Sequence, residues 1–178
     1  MGPTDPVGSG SRNGRHQLPQ LSHNEAEAAI AKLFESAGFT VLSEPRISGV
    51  SSLPLNPDIL AFKNDEVLII EVKVGREKDI VAEDAQGIEM VRQLFATQVA
   101  SSRWRAFLNT GSPTRVESAL VMIGAKPSGS LRSFAAETNV KLLSIDPETV
   151  RRAMKTSDEQ QLKSIFDQAL SGLPLRER

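Results

Sequence analysis

The stretch NPDILAFKNDEVLIIEVKVG, residues 56–75, decides how this chain folds. Two apolar runs flank Asn64-Asp65, a pair with the chemistry of a two-residue type I′ hairpin turn. Three charges interrupt the pattern: Asp58 opens the first run, and Glu71 and Lys73 lie inside the second. Charged side chains are seldom buried without partners. The register of the hairpin accounts for them. If Lys63 pairs with Glu66, Asp58 falls opposite Glu71. Side chains alternate across a strand, so Glu71 and Lys73 share a face. Directly opposed cross-strand residues hold their Cβ atoms about 4.5–5.5 Å apart, which brings Asp58 to the same place. The other face carries Leu68, Ile70, Val72 and Val74 on one strand and Ile59 and Ala61 on its neighbour. The hairpin is therefore covered on both sides, with three charges gathered at one end of one face.

Two carboxylates this close stay ionised only with positive charge between them. An ion pair to Lys73 alone leaves one carboxylate uncompensated at a desolvation cost. A divalent cation does better, and oxygen ligands suit Mg²⁺ or Mn²⁺. A metal beside a lysine is suited to activating water and stabilising charge on a phosphoryl group.

Working outward, residues 22–39 (SHNEAEAAIAKLFESAGF) carry a Ser or Asn cap and an apolar stripe of Ala26, Ala29, Ile30, Leu33, Phe34 and Ala37 at helical spacing. Gly38 is the expected stop. Residues 39–44 read as a strand and 45–56 as a loop. After the hairpin, 79–102 read as a long helix and 117–125 as a buried strand. Residues 129–138 then read as a short helix and 140–145 as another strand. From Asp146-Pro147, a cap and first-turn proline, one amphipathic helix is expected to run to about Leu170. A hairpin followed by alternating elements predicts an α/β fold, a mixed β-sheet flanked by helices.

Pro57-Asp58, twelve intervening residues, then Glu71-Val72-Lys73, with a helix before and strands around them, resembles the PD-(D/E)XK nuclease superfamily. The resemblance implies a restriction-endonuclease-like αβββαβ core. It implies that Asp58 and Glu71 bind Mg²⁺ or Mn²⁺ with the Val72 carbonyl as a further ligand, and that Lys73 orients or deprotonates the attacking water. Many members carry a glutamate on the first helix; Glu25 and Glu27 flank the apolar stripe on opposite sides, and Glu25, nearer the helix start, is the residue chosen. Some members also place Gln and Tyr four apart on the next helix. Here Gln86 is followed by Met90, and the chain has no tyrosine.

The net charge of −1 excludes a generally basic nucleic-acid binder. Residues 101–132 are locally basic, with five Lys and Arg against one Glu. Arg103, Arg105 and Lys126 are the candidate nucleic-acid contacts, and Trp104 between the arginines could stack on a base. The two histidines, His16 and His23, support no histidine-based triad. With no cysteine, thiolate metal sites are excluded.

The expected organisation is a disordered lead over 1–21, a nuclease core over 22–145 and a helical extension over 146–178. No apolar run approaches the roughly 20 residues of a membrane span, and residues 1–20 lack a signal-peptide core, so a cytoplasmic protein is expected. The predicted activity is metal-dependent hydrolysis of phosphodiester bonds, as a DNA endonuclease and possible homodimer. The alternatives are an RNA-directed nuclease of the same fold, such as a toxin cutting transfer RNA, and a non-catalytic nucleic-acid-binding module.

Overall fold

The computed structural model describes residues 20–45, 57–75, 106–109, 113 and 115–170. The predicted helix over 79–102, with Gln86, and the segment holding Arg103, Trp104 and Arg105 lie outside the described residues, as does the lead before residue 20.

Helix α1 (His23–Ser36) starts at Ser22, whose hydroxyl accepts from the Glu25 backbone N–H at 3.3 Å. The Glu25 carboxylate returns to the Ser22 backbone N–H at 2.9 Å, completing a reciprocal cap. The chain turns out of α1 at Gly38, whose φ of 84° is the left-handed conformation that favours glycine. Strand β1 (Thr40–Ser43) follows, then the hairpin of β2 (Ile59–Lys63) and β3 (Glu66–Val74), then β4 (Arg115–Ile123), helix α2 (Gly129–Thr138), β5 (Val140–Ile145), and helices α3 (Pro147–Lys155) and α4 (Glu159–Ala169).

One five-stranded sheet runs β1-β2-β3-β4-β5. The first two pairings are antiparallel and the last two parallel, giving the mixed sheet of the restriction-endonuclease-like fold. The hairpin register is the expected one: Lys63 pairs with Glu66 and Ile59 with Ile70. Only Asn64 of the two loop residues has positive φ, 55°, so the turn departs from type I′.

Alternation assigns the two faces. Ile59, Ala61, Leu68, Ile70 and Val72 join α1, α3 and α4 in one apolar cluster. Leu60, Phe62, Val67 and Ile69 join Leu131 and Ala135 of α2 in the other. Phe34 of α1 meets Phe39 and Phe166 of α4 edge-on, with centroids 5.2 and 5.1 Å apart, so α4 closes over the same core as α1.

The single C-terminal helix expected from the sequence is two. Thr156 takes an extended conformation (φ −98°, ψ 144°), and Asp158 caps a new helix by accepting from the Gln161 N–H at 3.0 Å. Side-chain oxygens here outbid the helical ladder: Thr156 Oγ1 also accepts from the Asp158 N–H. Lys32 of α1 bonds the Ala153 carbonyl at 3.3 Å and the Thr156 carbonyl, satisfying groups that α3 leaves open.

Candidate metal and phosphodiester site

The hairpin ladder ends one residue short of Asp58, so its side chain is free to turn around the end of the sheet. Its carboxylate is held from two sides. Oδ2 accepts from the Val72 backbone N–H at 2.7 Å, and Oδ1 lies 3.5 Å from His23 Nε2. Its carbonyl accepts from the Glu44 N–H at 2.7 Å, a bond made with Glu44 at a positive φ of 46°. Asp58 is thereby fixed between the end of β3 and the first turn of α1.

Glu71 and Lys73 follow the alternation of β3 and form an ion pair, Nζ to Oε1 at 2.9 Å. Both are partly buried, at 23% and 31% side-chain exposure. Val72 between them points its side chain into the α1 core. Its N–H faces Asp58. In a pleated strand the carbonyl of the same residue points to the same side, here past the end of β2.

The glutamate that α1 brings to Asp58 is Glu27. Glu25 is exposed and committed to Ser22, whose side-chain and backbone hydrogen bonds hold its carboxyl below the ordinary value, with Arg151 adding to them. This corrects the choice of Glu25: the two glutamates lie on opposite sides of the stripe, and the cap occupies one of them. Glu27 is 7% exposed. Burial, first, and the charges of Asp58, Glu44 and Glu71 push its carboxyl up, against a smaller opposing effect of His23.

His23, Glu27 and Asp58 each offer a ligand atom, all within 4.8 Å of one another, the one such group among the described residues. Sequence reasoning passed over two of these three. The available signal was spacing: His23 and Glu27 are four apart and so share a helix face. Glu27 also stands three and seven residues before Ile30 and Phe34, on the side of α1 that meets the sheet.

Lys126 is exposed three residues beyond β4. The parallel register aligns the ends of β3, β4 and β5: Gly75 N–H bonds the Ile123 carbonyl and Gly124 N–H the Ile145 carbonyl. Lys126 therefore sits at the same end of the sheet as Lys73. No helix among the described residues is long and apolar enough to cross a membrane.

Residues 22–119 match the family model of the archaeal Holliday junction resolvase (Hjc). Two solved structures are similar. The "Crystal Structure of Protein of Unknown Function AF1548" is 13% identical, over 83% of this chain and 97% of that one, with a TM-score of 0.42. The MspJI restriction endonuclease in complex with a 27-mer oligonucleotide is 13% identical, over 88% of this chain and 34% of that one, with a TM-score of 0.41. No curated protein matches.

Proposed function

The chain belongs to the archaeal Holliday junction resolvase family, within the PD-(D/E)XK nuclease superfamily, and on that premise we propose that it is a metal-dependent endonuclease acting on branched DNA. The observation that carries the reading is the setting of Asp58. One carboxylate oxygen is fixed by the Val72 N–H and the other faces His23, within reach of Glu27, while Glu71 and Lys73 flank Val72 on the same strand.

The donor set fits a divalent cation. Two carboxylates and an imidazole converge within 4.8 Å, and one of those carboxylates is nearly buried. Such a group is costly unless a cation joins it. Asp58, Glu27 and His23 would hold the ion; the superfamily resemblance adds Glu71, which is outside that group, and the Val72 carbonyl. The carboxylates suit Mg²⁺ or Mn²⁺, and an imidazole favours the transition ion. When bound, the ion polarises a phosphoryl oxygen and lowers the pKa of water.

The chain's own residues do the rest. Lys73, as an ammonium, donates a hydrogen bond that orients the attacking water and offsets negative charge developing at the phosphate. Glu71 keeps the Lys73 ammonium in place through their ion pair. The Val72 N–H fixes the orientation of Asp58. Lys126 contacts the phosphodiester backbone beside the cut; the further candidates Arg103 and Arg105 lie outside the described residues. Opposed cuts on a junction need two such centres, which a homodimer supplies.

The test is a cleavage panel of four-way junction, duplex DNA, single-stranded DNA and RNA with Mg²⁺ or Mn²⁺, using Asp58→Ala as blank. Junction cleavage lost in the blank is the expected result. RNA cuts with intact DNA would move the reading to an RNA-directed nuclease. Metal-independent or absent cleavage on every substrate would refute it.

A further inference from the structure

Away from the site, the turn between α3 and α4 borders an open recess of ≈ 480 Å³ lined by Arg152, Lys155, Thr156, Gln161, Ser164 and Gln168, with Ile165. The lining has two cations, four neutral polar side chains and no carboxylate. Of the acids on α3, α4 and their caps, all but Glu159 are engaged elsewhere. Glu148 pairs with Arg151, Asp167 with Lys163 at 2.8 Å, and Asp146 and Asp158 cap their helices. Arg152 and Lys155 are exposed, and among the described residues neither side chain has an ion-pair partner. Gln161 spends its oxygen on the Thr156 hydroxyl at 2.8 Å, which leaves its amide N–H groups for the recess. Lys32 covers the Ala153 and Thr156 carbonyls, offsetting the negative end of α3 that would repel an anion.

We infer that this recess binds the phosphodiester backbone of the nucleic-acid substrate at a point away from the cut, through Arg152 and Lys155, with Gln161, Ser164 and Gln168 donating to the phosphate oxygens. The inference rests on the nuclease reading and adds a second anchoring point to it. A chain of net charge −1 draws a polyanion through local patches, not through its overall field. The recess is too small for a duplex and the right size for one or two phosphates with a sugar edge. The recess and the site are joined through α1. Lys32, which bonds the Ala153 and Thr156 carbonyls beside the recess, lies five residues beyond Glu27 on α1, about 7.5 Å of helix rise and about 140° around its axis. Phosphate contacts there position the substrate without reading its sequence.

The experiment compares wild type with Arg152→Gln/Lys155→Gln, both exposed positions where glutamine leaves the fold intact, as circular dichroism would verify. Binding of a labelled four-way junction is followed by anisotropy from 50 to 200 mM salt in EDTA, which keeps the substrate uncut. Loss of two phosphate contacts lowers the slope of log affinity against log salt by about 1.8 and weakens binding roughly tenfold. An unchanged slope overturns the inference, whether or not affinity falls. A parallel titration with inorganic phosphate separates the sources of the anion: weakened phosphate binding with junction binding as in wild type makes the recess a small-anion site and also overturns it. Wild type that binds no nucleic acid removes the nuclease reading itself, a different result from a wild type that binds with the slope of the variant.

Discussion

Replacing Glu27 by glutamine in the metal-free protein should raise stability and abolish cleavage, two effects of opposite sign from one atom change. Two unit charges within 4.8 Å repel by roughly 3.5 kcal/mol at an effective dielectric constant near 20. The Val72 N–H and the neighbouring imidazole offset part of this at Asp58. A net gain of about 1–2 kcal/mol is expected for the variant at pH 7, a rise in Tm of roughly 2–8 °C for a domain of this size. The pH dependence follows from the direction of the shift. Burial and its acidic neighbours raise the Glu27 carboxyl in the folded state, so the folded protein binds that proton more tightly than the unfolded chain. The wild-type penalty is absent below the ordinary glutamate value of 4.5 and grows as pH rises through the raised folded value. The Tm difference should accordingly close toward acid. Adding Mn²⁺ should stabilise wild type more than the variant, with affinity lower by about 10–100-fold in the variant, and junction cleavage should fall by about 100-fold or more. Scanning calorimetry in EDTA at several pH values, Mn²⁺ titration and a single-turnover cleavage assay measure these terms. Glu25→Ala is the control of opposite sign: it should keep cleavage and lose stability. That loss is present above pH 4.5 and disappears as pH falls through the lowered Glu25 value. A destabilised, fully active Glu27→Gln alongside an inactive Glu25→Ala would refute the assignment.

Lys73→Ala should cut the cleavage rate by about 10²–10⁴-fold while junction binding in Ca²⁺ stays near wild type; loss of binding and rate together would make Lys73 a DNA contact instead. Phe34→Ala removes a ring held between Phe39 and Phe166 and should cost about 3–5 kcal/mol in urea denaturation. Gly38→Ala should cost about 1 kcal/mol by the same assay. A Cβ there has room, 3.8 Å from Lys63 Nζ, so the φ of 84° alone is responsible.

The hairpin shows how far local chemistry reaches. Asn64-Asp65 and the two apolar runs around it were enough for the register, because a one-residue slip would turn every buried side chain of β2 and β3 outward. Cap chemistry likewise marked α1 at Ser22 and α3 at Asp146-Pro147. The split between α3 and α4 was less visible. The apolar stripe lapses over residues 155–161 (KTSDEQQ), and hydroxyl and carboxylate bonds at Thr156 and Asp158 compete there with the helical ladder.

The sequence by itself determined the β2–β3 pairing, the expectation of a mixed sheet and the presence of Asp58, Glu71 and Lys73 at one end of that hairpin, since period-2 alternation and turn chemistry are short-range properties. Which helix side chains meet those residues was decided only in the tertiary structure. Glu25 and Glu27 differ little as sequence. Packing the Ile30 and Phe34 side of α1 onto the sheet carries Glu27 and His23 to Asp58 and leaves Glu25 at the surface with Ser22. That outcome depends on the angle at which a helix meets a sheet, which the whole core sets and no local motif records.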